Sequence, residues 1–121
     1  MKIRLKGNTI RFRLTRSEVE RLSSGAALRD RIEFSPSRHL TWLLAPAPAI
    51  TAIEADFVDA TIAVRLPQSQ VQNWAETQAV GLYGHPGELE VAVEKDFRCL
   101  TRSGLPEEAD AFPNPHDAAK C

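Results

Sequence analysis

Cysteine is scarce: the 121-residue chain holds two, Cys99 and Cys121, both in its last quarter. Two thiols so placed exclude a disulfide-framed mini-domain, and a chain of this length can bury a core without staples. No hydrophobic run approaches the roughly 18–20 residues that span a bilayer, which excludes a helical membrane protein. The head, MKIRLKGNTIRFRL, alternates charged and apolar residues where a secretory leader would carry an unbroken apolar stretch, so a cytoplasmic location is expected. Glycine-rich phosphate loops, H-E-x-x-H and G-x-S-x-G are missing too, and with them the usual signatures of nucleotide hydrolases, zinc proteases and serine hydrolases.

What is present is an average globular composition, 43% hydrophobic and 26% charged, with its charge unevenly spread. Lys2, Arg4, Lys6, Arg11, Arg13 and Arg16 precede the first acid, Glu18, whereas Glu107, Glu108, Asp110 and Asp117 crowd the tail. The net charge is −1, so a nucleic-acid partner is not expected.

The segment TIRFRLTRSEVERL, residues 9–22, resembles TIAVRLPQSQVQNW, residues 61–74, at a constant offset of 52. Thr9/Thr61, Ile10/Ile62, Arg13/Arg65, Leu14/Leu66, Ser17/Ser69 and Val19/Val71 are identical. In each copy apolar residues alternate with period two and then switch to helical spacing, Val19 with Leu22 and Val71 with Trp74. The pattern predicts a strand running into a helix, at about 16–24 and again at 68–76. Thr15 and Glu18 fit a capping box, Pro67 suits a first helical turn, and Gly25 suits a helix C-terminus.

Shorter alternating runs precede each strand, through turns at Gly7–Asn8 and residues 58–60, and others follow across SPSR and GHPG. The whole reads as a ββαββ unit occurring twice, residues 1–45 and 50–97. The fold class is α+β: a curved antiparallel sheet or half-open barrel with two short helices on one face. The APAPA stretch at 45–49 is expected to join the copies and end the strand before it. Residues 98–121 are expected to form an irregular C-terminal tail docked on the same domain.

Two constellations could carry chemistry. In the tail, Cys99, Cys121, His116 and Asp110 offer thiolate, imidazole and carboxylate donors of the kind that bind Zn²⁺ or Cu(I), although the spacing is not a paired C-x-x-C. The expectation is that Phe112 enters an apolar niche, Pro113 and Pro115 keep the segment extended, and Cys121 is carried toward Cys99. A disulfide and two unrelated thiols are the alternatives. On the sheet, Arg11, Arg13, Arg65, Glu90 and Glu94 occupy non-core positions and could line a phosphate- or nucleotide-type site. The plainer reading is that the acids neutralise the cations on a solvated face. His39 and His85 are expected at the surface, and Trp42 and Trp74 in the core.

With EKDFRCL, DAFPNP and the head MKIRLKGNTIRFRLT in view, the chain resembles a small bacterial protein family of unknown function in which such segments recur together. That resemblance spans the whole chain and implies that Cys99 and the tail belong to the domain. It implies no activity or cofactor. The expected function is therefore a non-catalytic binding or accessory module. A homodimer is compatible with the sequence and a membrane partner is not expected.

Overall fold

A computed structural model of the chain describes residues 1–97 and Phe112. Among the described residues there are eight strands and two helices: β1 (Lys2–Lys6), β2 (Thr9–Leu14), α1 (Arg16–Ser23), β3 (Leu28–Ser35), β4 (Arg38–Ala47), β5 (Glu54–Val58), β6 (Thr61–Pro67), α2 (Gln68–Glu76), β7 (Gly81–Gly84) and β8 (Glu90–Lys95). The offset of 52 holds for β1 and β5, for β2 and β6, and for the starts of both helices. None of these helices is long and apolar enough to cross a membrane.

The expected duplicated α+β unit is there, but its strands divide into two mixed sheets, ordered β1-β2-β8-β7 and β3-β4-β6-β5, and no barrel closes. Each sheet joins the first hairpin of one copy to the second hairpin of the other. The joining pairs, β2 with β8 and β4 with β6, are parallel. The pairing is thus reciprocal, as an approximate two-fold relation between copies requires. In the second hairpins the offset shifts: Thr41 lies beside Thr61 as Glu90 lies beside Thr9, so β4 and β8 correspond at an offset of 49.

Alternation puts Ile10, Phe12 and Leu14 of β2, and Ile62, Val64 and Leu66 of β6, into one buried cluster with Val91 and Val93 of β8 and Leu44 of β4. Both helices enter this cluster through Val19, Leu22, Val71 and Trp74. They pack on each other, and each touches strands of both sheets. The Trp74 indole N–H donates to the Val80 carbonyl at 3.0 Å, which lets the largest buried side chain keep its polar atom satisfied.

Local signals explain the helix ends. The Thr15 hydroxyl accepts from the Glu18 amide at 3.4 Å while the Glu18 carboxylate accepts from the Thr15 amide at 2.8 Å, a reciprocal capping box. Burial would raise the Glu18 pKa, but hydrogen bonds from the N-terminal ammonium and from Thr15 outweigh it, and the pKa is lowered. At the other end Gly25, at φ +101°, donates to Leu22 and Ala26 donates to Arg21, the paired bonds of a Schellman motif. α2 starts differently: Pro67 ends β6 and stands just outside the helix, with no side-chain cap.

β4 also runs through Pro46, contrary to the expected break at residues 45–49. Beyond Leu44 it has lost its β3 neighbour and pairs only with β6, and a proline is tolerated where one side of a strand is unpaired.

The β5–β6 turn has a residue type that its geometry disfavours. Asp59 and Ala60 both have positive φ, +52° and +55°, the conformation of a type I′ hairpin turn. An alanine there costs roughly 1–2 kcal/mol of steric strain. Ala60→Gly is therefore expected to raise stability by about 1 kcal/mol, after allowing for glycine's greater freedom in the unfolded chain. Urea denaturation followed by tryptophan fluorescence measures it, and an unchanged or lower midpoint would show that the turn carries no such strain.

Candidate functional site

β2 and β6 run from an open end of the two-sheet stack toward the helices. At the open end the sheets are not closed, and a groove of about 700 Å³ lies between the β1–β2 hairpin, the β5–β6 hairpin and the β7–β8 turn. Its lining pairs residues that correspond between copies: Leu5 with Phe57 and Ile10 with Ile62 at the offset of 52, and Leu40 with Leu89 at 49. Ile10 and Ile62 are buried, whereas Leu5 and Phe57 are 56% and 67% exposed. Ile32, opposite Leu40 on β3, and Phe34 extend the exposed apolar surface along the β3–β4 hairpin. Pro86, Asn8 and Glu88 contribute to the lining, and its Asp56 is bonded to Arg65. Lone exposed apolar residues are ordinary, but several converging in one concavity are what binding sites show.

The charged residues expected to form one lining are divided between the sheets. Arg11, Arg13, Glu90 and Glu94 occupy the outer face of the β1-β2-β8-β7 sheet, and Arg65 that of the other sheet. The Arg65 guanidinium bonds Glu54 at 3.0 Å and Asp56 at 2.9 Å, and those hydrogen bonds, Asp56's first, raise its pKa. On the first sheet Arg11 Nε is 3.3 Å from Glu94 and Lys2 is 3.0 Å from Asp96. The expectation that acids neutralise the cations thus holds for Arg65 and, in part, for the first sheet. His39 and His85 are exposed, and Trp42 and Trp74 are buried.

A second concavity, about 530 Å³, lies where β8 meets the helices, lined by Leu14, Val19, Ala75, Thr77, Lys95 and Phe97 among others. Lys95 donates to the Thr77 carbonyl at 2.8 Å and stands 6.0 Å from the centre of the Trp74 ring. Cys99, Asp110, His116 and Cys121 lie outside the described residues, as do Pro113 and Pro115. Phe112 is described and is 96% exposed, so it fills no apolar niche. Among the described residues no group of three or more His, Cys, Asp or Glu side chains is arranged to hold a metal ion.

Period-two alternation in the sequence puts Leu5, Ile10, Phe57 and Ile62 on apolar faces but does not reveal the groove. The missing information was which strands become neighbours. The equality of the two copies was the available signal, because paired apolar residues at hairpin ends of a duplicated unit meet at the axis between copies.

Tyr83, the only tyrosine, sits across from Ala92 on β7 and donates its phenol proton to Glu94 at 2.8 Å. Partial burial, followed by this bond and the carboxylate's charge, raises its pKa above the ordinary tyrosine value. A raised pKa in the folded state contributes stability below the ordinary value of about 10, and that contribution is lost as pH rises through the folded value. Absorbance at alkaline pH should show one phenol titrating above the ordinary value, and Glu94→Gln should bring it down. Titration of the parent protein at the free-tyrosine value would refute the assignment.

No curated protein and no solved structure matches the chain. A family model does match, over residues 1–116, which includes Cys99 and the DAFPNP segment. The chain belongs to a family of unknown function, DUF7009.

Proposed function

We infer that the protein is a non-catalytic binding module and that its site is the groove between the two sheets, which takes a small apolar molecule. The observation that carries this reading is the convergence of Leu5, Phe57, Leu40 and Leu89 over Ile10 and Ile62 in one concavity. Its volume lies in the range of small-molecule sites, and its lining is mainly apolar with a few polar groups at the edge. Covering Leu5 and Phe57, each more than half exposed, would contribute roughly 1 kcal/mol per side chain. Among the described residues the lining has no histidine and no cysteine, and of its two carboxylates, Asp56 and Glu88, the first is already engaged by Arg65, which favours binding over catalysis.

The test is titration with the neutral fluorophore N-phenyl-1-naphthylamine, followed by displacement with a medium-chain alcohol. Saturable binding is expected, weakened about thirtyfold in Leu5→Asp/Phe57→Asp, since that change removes two side chains each contributing roughly 1 kcal/mol. Both positions are exposed, so the variant should remain folded, which circular dichroism checks. Affinity unchanged in the folded variant, or no saturable binding by the parent protein, would reject the groove as the site.

A further inference from the structure

The outer face of the β1–β2 hairpin gathers five cations: Lys2, Arg4 and Lys6 on β1, and Arg11 and Arg13 on β2. The register sets like charges directly opposite each other, Lys2 against Arg13 and Arg4 against Arg11. Such cross-strand pairs destabilise a sheet unless anions intervene. Three carboxylates answer them in part. Glu94 is 3.3 Å from Arg11, Asp96 is 3.0 Å from Lys2, and Glu90 accepts the Thr9 hydroxyl at 3.0 Å. Among the described residues, Arg4, Lys6 and Arg13 have no ion-pair partner, and Arg11 Nε lies near Glu94 without making a hydrogen bond.

The second copy provides an internal control. The offset of 52 carries Lys2, Arg4, Lys6, Arg11 and Arg13 onto Glu54, Asp56, Val58, Ala63 and Arg65. There the charges close on themselves, with Arg65 bonded to both Glu54 and Asp56. The scaffold therefore does not need cations at four of these five positions, and a self-neutralising arrangement suits it. In the first copy the surplus converges on a notch of about 190 Å³ lined by Arg4, Lys6, Thr9, Arg11 and Glu90.

We propose that this notch binds a phosphate-type oxyanion carrying at least two negative charges, gripped by Arg4, Lys6 and Arg11. Guanidinium groups present paired N–H donors to phosphoryl oxygens, and the lysine adds a compact charge. The five cations of this face outnumber its three carboxylates, Glu90, Glu94 and Asp96, by two, so it suits a dianion better than a monovalent ion. The notch opens on the outer face of the sheet, opposite the apolar groove, and shares only Thr9 with that groove's lining.

Calorimetric titration of the full chain with inorganic pyrophosphate at low ionic strength tests the proposal, with ADP and a single-stranded DNA oligonucleotide in parallel arms. Pyrophosphate should bind saturably and more weakly as salt is added. Arg4→Asp/Arg11→Ala, which installs the second copy's residues, should weaken binding by about tenfold or more. Glu90→Gln should tighten it, a gain that misfolding cannot imitate. ADP binding as well as pyrophosphate would assign the diphosphate as the recognised group and support the site. The proposal is overturned by an absence of saturable pyrophosphate binding, or by affinities that neither Arg4→Asp/Arg11→Ala nor Glu90→Gln changes. DNA binding far tighter than pyrophosphate would also overturn it, because the face would then be a polyanion surface.

Discussion

The parallel pairing of β2 with β8, and of β4 with β6, is the constraint from which the rest of the structure follows. Parallel neighbours cannot be joined by a tight turn, so each central pair must bring together strands far apart in the chain. Here the partners come from different copies of the repeat, and neither copy completes a sheet by itself. A single ββαββ unit would leave β2 and β4 each with an unpaired edge. The two copies are thus one folding unit, and the helices, each touching both sheets, hold the closed end. The same arrangement leaves the far end open, because hairpin turns there meet no helix.

Much of the local structure was legible in the sequence because it depends on near neighbours. The capping box at Thr15 and Glu18, the Schellman glycine at Gly25 and the buried parity of Ile10, Phe12 and Leu14 each need only a few adjacent residues. The division into two sheets was not legible, since period-two alternation says which face is apolar and nothing about which strand lies beside it. The same ignorance placed Arg65 in one lining with Arg11 and hid the groove. Pro46 misled for a related reason: a proline forbids a paired amide, and whether the amide would have been paired depends on where β3 ends.

The two copies also separate what the fold requires from what it merely permits. Inward positions are the same or similar in both, as Ile10 and Ile62 or Leu14 and Leu66 show, because they must fill a shared core at interior packing density. Outward positions differ more: Lys2 and Arg4 stand where the second copy has Glu54 and Asp56, although Arg13 and Arg65 agree. An exposed ion pair contributes little to stability, on the order of 0–1 kcal/mol, so packing alone cannot fix the charge of either face. Stability therefore leaves the outer face free, and a same-sign cluster that the scaffold elsewhere neutralises needs a cause other than folding.

A parallel argument applies to the groove, with the opposite conclusion about symmetry. Leu5 and Phe57 differ in shape but both are apolar and more than half exposed, so a polar residue at either hairpin end would cost the core little. The neighbouring outward positions show how readily this chain accepts charge on the same strands. Apolar character at both mouths of the groove, on strands that carry charge at neighbouring outward positions, accords with the proposal that a ligand covers the open end.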